Sequence, residues 1–404
     1  MVGLSAAGLS AAETLRAEGY QGRLTLVGAE AHLPYDRPPL SKQVLAGQWP
    51  VERTGFRPAD GYAELAAELV LGNAATGLRV AERAISLADG SELRYDGLLV
   101  ATGLRPRRLP AVEGLDAAYV LRTLDDALAL RAALTEPGVE RVAVIGAGFL
   151  GTEIAASARG MGLDVVLIDP QPVPLGAQLG HEIGALAARL HAARGVEVLG
   201  GSGVQRVLTA GGRRVTGVLL DGGRTVPAHV IVLAVGSVPE TGWLAGSDLA
   251  SGEGVLCDEY CRAAPGVFAA GDVAAWIDQR QGRRTRLEHR MHAIEQGAAA
   301  ARNLLAEDSG AMMAFSPVPY FWSDQYDVKL QVVGTAAADA RLLLEPGAVE
   351  PGSGLDDRGS FTAVYVRDDR VVGGLCWNRP ARLPALRRLV ATNAPWTAAD
   401  LEAA

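Results

Sequence analysis

Short β-branched apolar runs alternate with Ala-rich stretches of helical period along most of this chain. The runs at 24–27 (L-T-L-V), 98–101 (L-L-V-A), 142–145 (V-A-V-I), 165–168 (V-V-L-I) and 230–234 (V-I-V-L-A) read as strands. Parallel strands covered on both faces carry such unbroken apolar runs. The intervening segments 6–18 and 149–160 are long enough for helices, and Gly19 suits the C-cap of the first. A weaker pattern predicts a helical piece over 63–69 and strand-like residues near 69–74. After residue 312 the pattern changes to V-K-L-Q-V-V, F-T-A-V-Y-V and V-V-G-G-L-C-W, which predicts an antiparallel sheet with a closing helix. The pattern therefore predicts an α/β protein with two Rossmann-like domains and a C-terminal α+β domain.

The strand-to-helix corners carry the chemistry. In R-V-A-V-I-G-A-G-F-L-G, Gly146 permits a tight turn, Gly148 lets the backbone approach a pyrophosphate, and Gly151 lets helix and strand pack closely. The turn, with Phe149 and Leu150, opens a helix whose N-terminal amides and dipole favour phosphate. Asp169 ends the next strand, at the distance where a carboxylate accepts the ribose hydroxyls. Pro170 and Gln171 follow, with no Arg nearby for a 2′-phosphate, which favours NAD over NADP.

The N-terminus repeats the motif with Gly3, Ser5 and Gly8, Ser5 standing where a second glycine is usual and Ala6 and Ala7 adjoining it. Glu30 closes the strand that follows. Only Met1 and Val2 precede Gly3, so a chain beginning at this Met1 is expected to hold its first nucleotide weakly. Further on, F-A-A-G-D ends a strand on Gly271 and Asp272, a corner suited to the ribityl and pyrophosphate of FAD.

Composition narrows the class. At 404 residues the chain is too long for one ordinary core. A net charge of −8 argues against nucleic-acid binding, and no apolar run approaches a membrane span. Three cysteines make no disulfide scaffold, which favours a reducing cytoplasm. Cys257 and Cys261, spaced C-x-x-x-C, lack the partners of a zinc site and read as buried thiols; no metal is expected.

The loop P-Y-D-R-P-P-L-S-K (34–42) is held rigid and extended by its prolines and carries Asp36, Arg37 and Lys42. With this loop, the chain resembles the FAD-dependent NADH–ferredoxin reductases that serve cytochrome P450s and Rieske dioxygenases. The match runs along nearly the full length and includes F-W-S-D-Q (321–325). The resemblance implies a glutathione-reductase-like layout. It has an FAD domain of residues 1–106 and 234–311, an NAD domain of 107–233 and a C-terminal domain of 312–404.

The same resemblance implies FAD contacts from the N-terminal motif, Arg37, Lys42, Ala74, the corner Ala101, Thr102 and Gly103, Arg105, Gly236, Gly271, Asp272, Glu288, His289 and Trp322. Lys42, Glu153 and Trp322 are the implied catalytic set, with Glu153 facing the nicotinamide and pairing with Lys42. Arg290 stands where the family usually has Trp, and Tyr320 replaces another. A flavin between a nicotinamide site and a partner surface converts a hydride into single electrons. The implied partner is a [2Fe–2S] ferredoxin upstream of a P450 or Rieske oxygenase, served by a monomer or homodimer. Arg280, Arg283, Arg284, Arg286 and Arg290 form the densest basic run and the expected steering patch. A disulfide reductase is excluded because 34–47 contains no cysteine. Reduction of rubredoxin or a small molecule, as by monodehydroascorbate reductase, and a redox interaction role like that of apoptosis-inducing factor are the alternatives. The short C-terminal domain disfavours the last.

Overall fold

The computed structural model describes residues 1–109, 112, 114–336, 341–344 and 359–396. Its α-helices are α1 (Ala6–Ala17), α2 (Leu124–Leu134), α3 (Phe149–Gly160), α4 (Gly176–Leu179), α5 (His181–Ala193), α6 (Arg290–Ala306) and α7 (Leu383–Ala391). The chain divides into two compact units. The first is Met1–Asp36, Val51–Arg105 and Ser237–Pro317; the second is Arg37–Pro50, Pro106–Gly236 and Val318–Ala404.

In the first unit, Thr25–Val27 pairs in parallel with Glu68–Val70, and Leu98–Val100 with Val267–Ala269. Val2 bridges both Val27 and Val100, so it occupies the middle place of this sheet. Leu98, Leu99, Val100, Val267 and Phe268 are wholly buried, as their continuous apolar runs require. Helices α1 and α6 pack on each other through small residues: Ala11, Ala12, Ala300 and Ala301 have no exposed surface. A Cβ on Gly297 would lie 2.3 Å from the Ala7 carbonyl oxygen, an approach open only to glycine.

One sequence expectation in this unit needs correction. Residues 59–65 form a 3₁₀ helix rather than a helical piece over 63–69, and Glu68–Val70 is a strand. Tyr62 and Leu65 are buried under this turn, and Ala66 ends it in the left-handed conformation at φ 44°. The chain thereby reverses into the strand two residues later.

The second unit is built on a five-stranded parallel sheet. Its order is Val196–Gly200, Asp164–Asp169, Arg141–Ile145, Val230–Leu233 and Ala118–Val120. A three-stranded antiparallel sheet lies between its fourth and fifth strands in chain order. Residues 318–396 contribute the antiparallel sheet, ordered Tyr320–Gln325, Val328–Gly334, Arg370–Trp377, Phe361–Arg367 and Arg341–Leu344. Period-two alternation divides its faces. Phe361, Ala363 and Tyr365 pack with Ile183, Leu186 and Leu190 of α5, while Val364 and Val366 pack under Leu386 and Val390 of α7. The Tyr365 hydroxyl donates to the Leu179 carbonyl at 2.9 Å. A shared apolar core therefore joins α5, which leads into the Val196–Gly200 strand, to the antiparallel sheet. Among the described residues, no helix is long and apolar enough to cross a membrane.

Candidate functional site

Each unit presents one glycine-lined corner. In the first, Gly3 has φ 109°, and a Cβ there would meet the Ala101 carbonyl oxygen at 2.1 Å. A Cβ on Gly8 would meet the Gly3 carbonyl oxygen at 2.0 Å. Ser5 is the N-cap of α1 and its side chain makes no cap hydrogen bond, so the first amides of this twelve-residue helix lack a side-chain cap. Gly271 stands beside them at φ 78°: its Cβ would lie 3.0 Å from Ala7 Cβ, and its amide donates to Gln296 Oε1 at 2.9 Å. Asp272 follows, half-buried. A cradle in which added Cβ atoms would clash, fronted by a helix start without a side-chain cap, fits a dinucleotide pyrophosphate.

The other first-unit candidates each have their own partners. The Glu30 carboxylate accepts from the Tyr35 hydroxyl. The Ala74 carbonyl takes the Ala88 amide at 2.8 Å. Thr102 Oγ1 donates to the Glu240 carbonyl at 2.7 Å, and the Glu240 amide returns to the Gly103 carbonyl at 2.9 Å. Arg105 is exposed, 3.6 Å from the Glu240 carboxylate. Glu288 is exposed and pairs with Arg286 at 2.7 Å, and His289 caps α6. Burial pushes the His289 imidazole down to about 4.

Arg290 Nε donates to both oxygens of Asp36, at 2.6 and 2.9 Å, and its guanidinium lies 5.6 Å from the Phe56 ring centroid. The expected steering patch divides by its hydrogen bonds. Arg284 donates to the Cys257 and Ala275 carbonyls at 2.6 and 2.7 Å, and Arg286 to the Asp272 carbonyl at 3.0 Å. These arginines stitch the unit internally, whereas Arg280 and Arg283 are exposed. Cys257 and Cys261 are buried, with both thiols pushed up by burial, Cys257 to about 12.

The second unit repeats the cradle. Gly146 has φ 101° and a Cβ there would lie 2.2 Å from the Ala234 carbonyl oxygen; on Gly151 it would lie 1.8 Å from that of Gly146. Gly148, the N-cap of α3, faces more open space, with Gln178 Nε2 at 3.4 Å. Asp169 accepts from the Ala147 amide at 2.5 Å and the Gln171 amide at 2.7 Å, so it braces the glycine turn as well as closing its strand. Phe149 meets Phe321 edge-on at 5.0 Å, and Leu150 is 36% exposed. Gly236, at φ 89°, accepts the Arg107 amide through its carbonyl at 2.9 Å. Arg37 Nη1 donates to the Arg122 carbonyl at 2.5 Å.

Within this unit lies the tightest polar cluster. Lys42 Nζ is 2.6 Å from Glu153 Oε2, and Ser41 Oγ donates to the same oxygen at 2.6 Å. Ser157, one turn along α3, donates to the Ser41 carbonyl at 2.6 Å and holds that segment down. Glu153 is the fifth residue of α3 and buried, so it lies beyond the first turn, where it would merely complement the dipole. Its other oxygen accepts from Ser323 Oγ at 2.7 Å. Trp322 is half-buried on that strand, stacked on Tyr320 with centroids 6.0 Å apart.

Sequence reasoning did not single out Ser41, Ser323, Gln325, His191 or Tyr326. The signal was present: alternation along Tyr320–Gln325 puts Ser323 and Gln325 on one face, and both are buried.

Known proteins agree with this geometry. Residues 1–297 match the family model described as pyridine nucleotide-disulphide oxidoreductase, and 320–404 match a reductase C-terminal model. The chain is 36% identical to the 5,5′-dehydrodivanillate O-demethylase ferredoxin reductase subunit of Sphingobium sp. (strain NBRC 103272 / SYK-6), covering 94% of this chain and 89% of that one. It is also 36% identical to the anthranilate 1,2-dioxygenase system ferredoxin–NAD(+) reductase component of Burkholderia cepacia, covering 98% and 94%. The reductase of a covalent putidaredoxin reductase–putidaredoxin complex superposes with a TM-score of 0.89 at 31% identity, covering 98% of this chain and 93% of that one. This chain belongs to the pyridine nucleotide-disulphide oxidoreductase family, among its ferredoxin reductases.

Proposed function

We propose that this protein is an FAD-dependent NADH:ferredoxin oxidoreductase that supplies a [2Fe–2S] ferredoxin and, through it, a P450 or Rieske oxygenase. The observation that carries this reading is the duplicated cradle, one glycine corner per unit, on a chain whose relatives are ferredoxin reductases. The three cysteines are buried, so electrons leave to a separate acceptor rather than through a dithiol.

FAD, when bound, accepts a hydride from NADH and returns the electrons singly. The protein's own residues bind and orient. Gly3, Ser5 and Gly8 bring the α1 amides to the FAD pyrophosphate, and Gly271 and Asp272 close the other side of that corner. Gly146, Gly148 and Gly151 do the same for NADH, whose ribose hydroxyls go to Asp169. Lys42, held by Glu153, would supply the cation that steadies reduced flavin, and Trp322 would be its aromatic neighbour, as the resemblance implies. The enzyme works in the cytoplasm, where NADH and reduced thiols are kept.

Anaerobic titration of purified protein with NADH tests this. Bleaching of a flavin band by about one NADH per chain, with NADPH far weaker, is the expected result, followed by reduction of added [2Fe–2S] ferredoxin and cytochrome c. A protein that stays colourless with FAD, or keeps its flavin band under excess NADH, sinks the proposal.

A further inference from the structure

The carboxylate of Glu153 ends a hydrogen-bonded chain that runs through the buried half of the second unit. Ser323 Oγ is 2.7 Å from Glu153 Oε1 and 3.2 Å from Gln325 Nε2. Gln325 Nε2 also reaches Thr152 Oγ1 at 2.9 Å. Gln325 Oε1 is 3.0 Å from His191 Nε2, and His191 Nδ1 is 3.0 Å from the Tyr326 hydroxyl. Ser323, Thr152 and His191 have no exposed surface, and Gln325 has 1%.

Counting donors gives this chain one direction. A carboxylate paired with Lys42 brings no proton, so the single Ser323 hydroxyl hydrogen goes to Glu153. Ser323 must then accept from the Gln325 amide, whose second hydrogen goes to Thr152. The Gln325 carbonyl is left to accept, which puts the imidazole proton of His191 on Nε2. His191 Nδ1 then accepts from Tyr326. Burial keeps this imidazole neutral, pushing it down to about 4, as a one-proton link requires.

We propose that Ser323, Gln325 and His191 are positioning residues for Lys42, fixing the Glu153 carboxylate so that Oε2 faces the ammonium. The proposal rests on the reading of Lys42 as the cation at the flavin. With Oε1 unbound, the carboxylate turns about its last torsion and Ser41 and Lys42 follow it. A point charge displaced from its place loses much of its effect on a reaction. The same strand carries Trp322 and Tyr320 on its opposite face, so one element sets both the aromatic and the ionic groups.

The test uses FAD-loaded enzyme carrying Ser323→Ala, Ser323→Thr or Lys42→Met, followed by anaerobic stopped flow and a flavin potential titration. Ser323→Ala is expected to lower the limiting rate of flavin reduction about five- to tenfold. Its NADH dissociation constant should stay within about twofold, a split that general loosening would not give. Its potential should move in the same direction as that of Lys42→Met, but less, and Ser323→Thr should restore both. Wild-type rate and potential in Ser323→Ala beside a damaged Lys42→Met overturns the positioning role and leaves the proposed function standing. An undamaged Lys42→Met overturns the reading of Lys42, and the positioning role with it. Independently of flavin or activity, ¹⁵N-histidine spectra of wild type should show His191 as the Nε2–H tautomer at neutral pH. An Nδ1–H tautomer overturns the chain's direction.

Discussion

Lys42 and Glu153, 111 residues apart in sequence, meet at 2.6 Å with only 12% and 9% of their side chains exposed. An ion pair withdrawn this far from water is expensive to break, because the survivor keeps its desolvation cost without its partner. Removing one member of such a pair costs about 3–5 kcal/mol. Lys42→Met and Glu153→Gln are therefore both expected to lower the melting temperature, and each to slow flavin reduction by NADH about a hundredfold. Rates within a factor of three of wild type in both variants would remove this pair from the reaction.

The glycines of the second cradle should separate by their surroundings. Gly151→Ala drives a methyl to 1.8 Å from a backbone oxygen, so helix and strand must part and stability should fall steeply. Gly148→Ala meets only the end of Gln178 at 3.4 Å, so the protein should fold normally yet bind NADH about tenfold more weakly. Thermal melting and NADH titration of the two variants check the contrast. Equal stability losses would refute it.

Three histidines with lowered values give a pH dependence. Burial sets His191 and His289 at about 4 and His292 at about 3, below the ordinary value of 6.5. The folded state favours the neutral ring, so this stabilisation is full above about pH 6.5 and drains as pH falls towards 4. Each histidine contributes a slope of about 1.4 kcal/mol per pH unit inside that window. Urea midpoints at pH 7.5 and 5.0 measure it. His292→Phe, which keeps a ring beside Trp276 and Phe315, should flatten the dependence. An unchanged slope in that variant would remove His292 as a source.

Arg283 and Arg284, adjacent in sequence, should behave differently. Arg284→Ala strips donors from the Cys257 and Ala275 carbonyls and should cost about 1–3 kcal/mol. Arg283→Glu, on the exposed side, should leave stability within about 0.5 kcal/mol while slowing association with an acidic ferredoxin at low salt. Calorimetry and stopped-flow mixing at two ionic strengths distinguish them.

Both glycine corners were legible in the sequence because the constraint is local: a turn, a close approach and a helix start all fall within six residues. The fold class followed from the same runs. Glu153 and Lys42 came from resemblance, since nothing in α3 says which distant loop its fifth residue faces. The rest of the cluster was hidden for that reason. Ser41 lies 112 residues from Glu153 and Ser323 lies 170, so only the folded chain brings their hydroxyls together. The basic run shows charge without its partners: only the folded chain reveals that Arg284 and Arg286 donate to backbone carbonyls of their own unit.

The close contact of Gly297 with Ala7 also dictates an order of events on the ribosome. The first corner needs α1 and α6 together, so its phosphate cradle cannot be completed until the chain beyond residue 306 has emerged. The parallel sheet of the second unit draws on residues 118–233 alone and can be completed before then. During synthesis the second glycine corner is finished while Leu98–Val100 still waits for its partner strand, Val267–Ala269. Flavin capture is then among the last steps of biogenesis, and nascent chains arrested before α6 should carry none.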